Sequence, residues 1–235
     1  MTPLPAPELE WDDDGVLRSG SFGDIYFSPD DGLAESHFNF VGGNDLPARM
    51  TADPAAPLQI GELGFGTGLN LIALLAARDG VHHGPLKLWS VEGFPLDPAS
   101  FAAAQERNAK RWPDIAPYAE QLARAYPEPH EGEVSFSLPG SVEITLAFGP
   151  VQERLKAASF QADAWFLDGF APSKNPDMWS TEVFTEVARL TAPAGTAATF
   201  SVASGVRGAL EQAGFSWEKA TGFGRKRHML KARLV

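Results

Sequence analysis

The stretch GELGFGTGLN, residues 61–70, decides the fold of this chain of 235 residues. Within it, Gly64, Gly66 and Gly68 stand two residues apart and follow an apolar run that begins at Leu58. A glycine loop between a parallel strand and its helix lets the backbone approach a ligand closely and adopt dihedral angles that side chains forbid. The stretch therefore predicts the start of an α/β fold, with a ligand site at the loop.

Two kinds of cofactor loop compete for this pattern. The dinucleotide fingerprint is G-x-G-x-x-G, but the position three residues after Gly66 is Leu69. An acid, Glu62, stands two residues before the first glycine of the loop. This spacing favours an S-adenosylmethionine loop, because the amino-acid part of that cofactor needs an acceptor and its ribose needs no phosphate cradle. The alternative is that the glycines serve only a tight turn.

The chain outside this stretch alternates short apolar runs with helical patterns, which is typical of a parallel sheet. Predicted strands are 58–65, 86–92, 141–149, 162–170 and 195–201, and predicted helices are 68–78, 98–111, 151–158, 181–190 and 204–214. Two closing runs, 216–220 and 227–235, have no helix between them and predict an antiparallel hairpin. The sequence thus predicts a Rossmann-like α/β domain over 58–235 with a mostly parallel seven-stranded sheet. Residues 112–139 form an insertion in it, and residues 1–57 an N-terminal extension packed on it.

Composition narrows the classes of protein. The formal net charge of -11 weighs against indiscriminate nucleic-acid binding. The absence of cysteine excludes disulfides and thiolate zinc sites, and we expect no metal site. No apolar run reaches the length of a membrane span, and the N-terminus lacks a signal-peptide pattern, so we expect a cytoplasmic protein without membrane contact.

A run without acids near the C-terminus reverses the overall charge locally. Its basic residues are Lys219, Arg225, Lys226, Arg227, Lys231 and Arg233. On charge alone, a solubilising strand is the favoured interpretation of this run, ahead of a phosphate-binding face.

Two acids end predicted strands. Glu92 follows Gly68 by 24 residues, where an acid in a Rossmann-like sheet reaches the ribose hydroxyls. Asp168, in WFLDGFAPSKNPDMW (residues 165–179), ends an apolar strand at the sheet edge where open α/β folds bind substrate. The alternatives are a charged strand end for Glu92 and a turn cap for Asp168.

If the methyl acceptor is an amine, the protein must hold the nitrogen lone pair in line with the methyl group and provide an acceptor for the amine proton. It does not have to supply a nucleophile of its own. Asp168 is our candidate for that acceptor, and hence the candidate catalytic residue. Phe170, Asn175 and Trp179 could shape a slot for a planar base, although aromatic residues beside prolines also pack without any ligand.

These motifs together resemble a known family, the methyltransferase domain of the bifunctional tRNA-modifying enzyme that completes 5-methylaminomethyl-2-thiouridine at the wobble position. The matching segments are FGDIYFS (22–28), GLAES (32–36), GGNDLPAR (42–49), ELGFGTGLN (62–70), EGFPL (92–96), DAWFLDGFAPSKNPDMW (163–179), GTAATF (195–200), VRGALEQAGF (206–215) and GFGRKRHML (222–230). The resemblance implies a class I methyltransferase fold, S-adenosylmethionine as the donor, and the primary amine of 5-aminomethyluridine in tRNA as the acceptor.

The resemblance also implies roles for residues. The cofactor would be bound by Glu62, Gly64, Gly66, Gly68, Asn70, Glu92, Gly149 and Asp168. The tRNA would be bound by Asp24, Tyr26 and Asn44 of the extension, by Phe170, Asn175 and Trp179, and by the basic residues Arg207, Arg225, Lys226 and Arg227. Where the family has Gly-Asp beside the adenine, this chain has Gly149-Pro150, which predicts weaker cofactor binding or a backbone group in place of the acid.

The family's fused form continues into a flavin-dependent oxidase, whereas this sequence ends at Val235 without a second dinucleotide loop. We therefore expect a stand-alone methyltransferase without FAD, which acts on the anticodon loop of tRNA after another enzyme has made the aminomethyl group. Two alternatives remain at this point: methylation of a small-molecule or protein amine by the same core, and a catalytically silent tRNA-binding module.

Overall fold

The computed structural model describes residues 4–5, 7–11 and 17–235. Its strands are β1 (Leu9–Trp11), β2 (Leu17–Ser19), β3 (Asp24–Ile25), β4 (Leu58–Leu63), β5 (Leu86–Glu92), β6 (Gly132–Leu138), β7 (Val142–Phe148), β8 (Ala162–Leu167), β9 (Thr191–Thr199), β10 (Phe215–Thr221) and β11 (His228–Leu234). Its α-helices are α1 (Gly32–Ser36), α2 (Leu46–Ala52), α3 (Leu69–Arg78), α4 (Pro98–Arg111), α5 (Ala116–Ala125), α6 (Val151–Ala157), α7 (Thr181–Arg189) and α8 (Ser204–Gln212). A π-helix spans His37–Gly42, and short 3₁₀ helices span Pro113–Ile115 and Pro176–Trp179.

The large sheet has the order β10-β11-β9-β8-β4-β5-β7-β6. Strands β4, β5, β7, β8 and β9 are parallel, and β10, β11 and β6 run antiparallel to their neighbours. This architecture confirms the predicted mostly parallel sheet with a terminal antiparallel hairpin. Because β4, β5, β7 and β8 run parallel, the glycine loop after β4 opens at the same sheet edge as the ends of the other three strands.

The predicted count of seven strands is wrong, since the described part of the chain places eight in this sheet. The additional strand, β6, lies within the predicted insertion 112–139 and pairs with β7. Val134 and Phe136 alternate with more exposed polar neighbours, which is the pattern of an edge strand that buries one face. The prolines elsewhere in the segment hid this short signal, and the first half of the segment is the helix α5.

Local signals account for several helix starts. The Asp97 side chain accepts hydrogen bonds from the backbone N–H groups of Ala99 and Ser100, and Pro98 occupies the first turn of α4. The carboxylate satisfies free N–H groups of the helix start, and proline at the first position has no N–H group that would need a partner.

The N-terminal extension forms a small sheet, β1-β2-β3, followed by α1, the π-helix and α2. The π-helix explains why residues 32–50 show no regular apolar period, because its turns are wider than those of an α-helix. In the segment 22–28, only Asp24 and Ile25 pair with β2.

Two apolar clusters fill the two faces of the large sheet. One joins the π-helix and α2 to α3, α4 and α5, and the other joins α6, α7 and α8. Phe40, Val41 and Leu46 of the extension belong to the first cluster, so the extension contributes to the core of that face. The division into an extension and a domain at residue 57 stays a prediction. Among the described helices, none is long and apolar enough to cross a membrane.

Candidate active site

A cavity of about 1420 Å³ opens at the carboxyl ends of β4, β5, β7 and β8. Its walls are the loops that follow these four strands, and the N-terminal extension covers it together with Phe200 and Lys226. Pockets for one small molecule usually measure about 300–1,000 Å³. The cavity therefore has room for a cofactor and part of a second ligand.

The glycine loop supplies one wall of this cavity. Gly64, Gly66 and Gly68 have φ angles of +81°, +53° and +70°, in the left-handed region that favours glycine. A Cβ atom on Gly64 would lie 3.3 Å from the Cα of Gly169, and one on Gly66 would lie 3.3 Å from Cδ1 of Tyr26. Backbone dihedrals and available space both require glycine at these two positions, and the bare backbone they leave fits a cofactor that approaches closely.

Gly68 and Gly61 are glycines for other reasons. Gly68 caps α3 but does not line the cavity, and a Cβ there would lie 2.8 Å from Cδ2 of Leu122. Gly61 lies in β4, where a Cβ would be 2.5 Å from the ring of Trp165. Helix and sheet packing therefore explain these two.

Glu92, at the end of β5, ties the glycine loop to the next loop. Its Oε2 accepts a hydrogen bond from the N–H of Gly66 (2.8 Å), and its Oε1 accepts one from the N–H of Phe94 (2.7 Å). Burial raises the pKa of this carboxyl group above its usual value. Glu92 lines the cavity, and each carboxylate oxygen can accept a further hydrogen bond from a ligand hydroxyl.

The loop after β7 meets Glu92 through the backbone. The N–H of Gly149 donates to the Glu92 carbonyl oxygen (3.0 Å), and Gly149 has a φ angle of +132°. Pro150 stands directly before α6 and lines the cavity, as do Gln152 and Glu153 in the first turn of that helix. A proline therefore faces the cavity at the position where the family pattern has an acid.

Asp168 lies directly after β8 and lines the cavity. Its Oδ2 accepts a hydrogen bond from Nδ2 of Asn70 (2.7 Å), and its Oδ1 accepts one from the N–H of Gly169 (2.8 Å). Burial raises the pKa of this carboxyl group to about 6; Asn70 and Gly169 oppose that rise, Glu35 adds to it and Lys226 opposes it. A carboxylate with this pKa is ionised at neutral pH, yet it can take up a proton readily.

Glu62 lies behind the loop, fully buried and outside the cavity lining. Its carboxyl group accepts hydrogen bonds from Nδ2 of Asn70 (3.1 Å) and Oγ of Ser90 (2.6 Å). Burial raises its pKa to about 8. The structure therefore corrects the expectation that Glu62 contacts the cofactor: Glu62 orients Asn70, which in turn orients Asp168.

The extension brings Asp24 and Tyr26 to the cavity. Asp24 accepts a hydrogen bond from the N–H of Ala171 (3.1 Å). Phe170 stacks on Phe22 with ring centroids 4.7 Å apart and meets the Tyr26 ring edge-on at 5.4 Å. These rings form an aromatic wall beside Asp168, and burial raises the pKa of Tyr26 above its usual value.

Phe22 was not singled out from the sequence, although it begins one of the resembling segments. Asn175 also lines the cavity.

Besides Glu62 and Gly68, the predicted binding residues Asn44, Trp179 and Arg207 do not line the cavity. Asn44 is buried and uses its amide to join Phe40, Trp165 and Thr196. Trp179 donates its Nε1–H to the Phe170 carbonyl oxygen (2.9 Å), so it supports the aromatic wall from behind. Arg207 lies over the Trp217 ring on the surface of α8. Asn44 and Trp179 therefore support the walls of the cavity, and a phosphate contact by Arg207 outside the cavity stays a prediction.

The exposed turn between β10 and β11 carries Arg225, Lys226 and Arg227. Lys226 alone of the three lines the cavity, with its Nζ 2.7 Å from Oε1 of Glu35 and 4.5 Å from the centroid of the Phe200 ring. This basic turn therefore lies at the mouth of the cavity.

Comparison with known proteins agrees with this geometry. A family model described as S-adenosyl-L-methionine-dependent methyltransferase matches residues 113–235. The chain is 46% identical over 229 residues to the tRNA 5-methylaminomethyl-2-thiouridine biosynthesis bifunctional protein MnmC of Ectopseudomonas mendocina (strain ymp), in a match that covers 95% of the chain and 34% of the relative. The protein of the same name from Chromohalobacter salexigens is 43% identical over 238 residues, with 98% and 33% covered. The chain thus spans about a third of the length of these curated relatives.

A crystal structure of MNMC2 from Aquifex aeolicus shares the fold, with a TM-score of 0.72, 24% identity, and coverage of 98% of this chain and 71% of that one. The likeness confirms the predicted Rossmann-like class I architecture. Because the family model covers more than half of the sequence and the glycine loop, Glu92 and Asp168 meet in one cavity, we conclude that the chain belongs to the S-adenosyl-L-methionine-dependent methyltransferases.

Proposed function

We propose that this protein methylates the primary amine of 5-aminomethyluridine, or of its 2-thio form, at the wobble position of tRNA. The observation that carries the proposal is the ionisable carboxylate of Asp168, oriented by Asn70 and placed in one cavity with the side-chain-free glycine loop. The names of the MnmC relatives supply the substrate class. The acceptor uridine must already carry an aminomethyl group at C5.

S-adenosylmethionine, when bound along the glycine loop, would supply an electrophilic methyl group, whose bond to the sulfonium sulfur breaks as S-adenosylhomocysteine leaves. The amine needs a free lone pair that points at that methyl group. Asp168 can accept a hydrogen bond from the amine N–H and so orient the lone pair. When the new N–C bond forms, the proton that the nitrogen loses can pass to the Asp168 carboxylate, whose raised pKa suits a proton acceptor near neutral pH.

The aromatic wall of Phe22, Tyr26 and Phe170 suits a flat base. Bases of a single-stranded loop can be turned out and stacked on aromatic side chains without breaking a duplex. We therefore place the wobble uracil against this wall, with its C5 substituent toward Asp168.

The basic turn is the candidate contact for tRNA phosphates. Phosphate contacts position a nucleic acid, and aromatic side chains next to them stack on its bases. Phe223, just before the basic residues, lies 5.8 Å from the exposed ring of Phe38, so an aromatic pair accompanies the charges. Charge and exposed aromatic surface coincide at the cavity mouth, where the anticodon loop would enter.

Gln152 is our candidate for the adenine contact that Pro150 cannot make. Its Nε2 lies 3.4 Å from Oγ of Ser180, which leaves the amide oxygen to accept a hydrogen bond from the adenine amino group. Gln152 lines the cavity on the side of β7, two residues after Pro150, and the proposal puts the adenine half of the cofactor there.

The test is nucleoside mass analysis of tRNA that carries 5-aminomethyluridine, before and after incubation with the protein and S-adenosylmethionine. We expect a gain of one methyl group on that nucleoside. Calorimetry with S-adenosylmethionine alone identifies the reason for a negative result. Saturable heat without tRNA methylation would indicate a different amine substrate, and no saturable heat would indicate a silent module.

A further inference from the structure

Asn39 is a buried asparagine whose amide has no partner. Its side chain lies on the π-helix, is 1% exposed and lines the cavity. Neither Nδ2 nor Oδ1 of Asn39 has a hydrogen-bond partner, and no other described residue has its complete polar group buried and unpaired. Burying an amide in this way costs free energy, which a ligand with matching groups would recover.

Asn44, five residues further on, shows that the surrounding structure can satisfy such a group. Its Nδ2 donates to the carbonyl oxygens of Phe40 (2.9 Å) and Trp165 (3.0 Å), and its Oδ1 accepts from Oγ1 of Thr196 (2.7 Å). The contrast singles out Asn39 as the amide that the fold itself leaves unused.

The position of Asn39 favours the acceptor over the cofactor. The π-helix packs against α3, β8 and β9, whereas Glu92 and Gly149 lie on the β5 and β7 side of the sheet. Glu35, four residues before Asn39, is close enough to Asp168 to influence its pKa, and both Glu35 and Asn39 line the cavity. Asn39 thus belongs to the wall on the Asp168 side.

We propose that Asn39 pairs with the imide edge of the acceptor pyrimidine: its Nδ2–H donates to the base O4 while its Oδ1 accepts from N3–H. An asparagine amide offers a donor and an acceptor side by side, which is how this side chain reads base edges elsewhere. In uracil, C4 is adjacent to C5, so a base whose C5 amine faces Asp168 presents O4 and N3–H to the wall beside it. This inference rests on the proposed function and adds a residue that recognises the base.

The test uses an anticodon stem-loop that carries 5-aminomethyluridine, and a matched stem-loop in which N3 of that uridine is methylated. We expect the wild-type protein to lose about ten- to hundredfold in kcat/KM on the N3-methyl substrate, the range of a bidentate contact. Asn39→Leu should lose as much in kcat/KM on the 5-aminomethyluridine stem-loop that has a free N3–H. Methylation of N3 should then cause no further loss in this variant. Its affinity for S-adenosylmethionine should stay unchanged.

Thermal unfolding of the free protein supplies a matched control. Asn39→Leu should raise the Tm, because an apolar group replaces an unpaired amide, whereas Asn44→Leu should lower it, because three hydrogen bonds are lost. The inference would be overturned if the wild-type protein were fully active on the N3-methyl substrate. It would also be overturned if the losses in kcat/KM from Asn39→Leu and from N3 methylation multiplied, or if Asn39→Leu weakened cofactor binding. If the wild-type protein bound S-adenosylmethionine but did not methylate the 5-aminomethyluridine stem-loop with a free N3–H, the proposed function itself would be refuted, and this inference with it.

Discussion

Asp168 combines two properties that a proton acceptor for amine methylation needs: an orientation fixed by Asn70 and a pKa raised to about 6 by burial. We expect Asp168→Asn to lower turnover at least about tenfold, since general acid–base catalysis typically contributes about 10²–10⁴-fold. The variant keeps the side-chain size and can still accept the Asn70 hydrogen bond. Affinity for S-adenosylmethionine, measured by calorimetry, should therefore change little.

The pH dependence gives a second readout of the same residue. Because only the ionised carboxylate accepts a proton, the single-turnover rate of the wild-type protein should rise as the pH increases through about 6. Asp168→Asn should lack this rise. Near-normal turnover in the variant, or the same rise with pH, would contradict the role of Asp168.

Glu62 should affect stability in a pH-dependent way. Burial raises its pKa from 4.5 to about 8, so between these values the folded protein holds a proton that the unfolded chain has released. Stability from this group is complete below pH 4.5 and declines as the pH rises to about 8. Glu62→Gln keeps both hydrogen-bonding atoms and cannot ionise. Its Tm relative to wild type should therefore increase from pH 5 to 8.

The exposed Glu218, for which Gln is also a neutral replacement, serves as the control for that series. Glu218→Gln should leave the Tm difference flat across the same pH range. A flat difference for Glu62→Gln as well would mean that Glu62 stays ionised in the folded protein.

At the scale of elements, the sequence predicts those parts of the fold that local signals determine. The bounds of β5 and α4 agree with the prediction residue for residue, because an apolar run ends in a turn for the first and an Asp-Pro cap begins the second. The strand β6 and the π-helix escape such reasoning. An edge strand between prolines has a weak pattern, and a π-helix has neither of the two periods that identify regular elements.

The candidate site is predictable where topology brings residues together. Parallel strands end at one sheet edge, so Glu92 and Asp168 could be placed near the glycine loop from sequence alone. The roles of Asn39 and Asn44 could not be assigned in this way, since the amide of Asn44 finds its partner Trp165 across 121 residues of sequence. Only the assembled structure shows which of the two amides is already occupied.

The glycine loop allows a test at the same scale. Gly66→Ala and Gly80→Ala both place alanine at a positive φ, +53° and +71°, but only Gly66 lies in the loop, with Tyr26 Cδ1 3.3 Å from the added Cβ. Each variant should lose roughly 1 kcal/mol of stability from backbone strain. Calorimetry should show weaker S-adenosylmethionine binding for Gly66→Ala alone. Equal affinities in the two variants would mean that the loop does not contact the cofactor.

At the scale of the whole molecule, a net charge of -11 conflicts with a polyanionic substrate unless the contacts are confined to one place. The turn between β10 and β11 provides such a place, because three consecutive basic residues stand at the cavity mouth. Lys226 is held by Glu35, which leaves Arg225 and Arg227 as the candidates for phosphate contact. Long-range repulsion from the remaining surface should then keep non-specific RNA away.

Reversing both arginines tests this arrangement. Arg225→Glu with Arg227→Glu should raise the KM for tRNA and flatten its salt dependence, because fewer counterions are released when fewer phosphates are neutralised. Affinity for S-adenosylmethionine should remain at the wild-type value. The matched control reverses Lys110 and Lys156, exposed on α4 and α6, and so changes the net charge equally. If the control pair raised the KM as much as the turn variants, tRNA would be responding to overall charge, and the basic turn would lose its role.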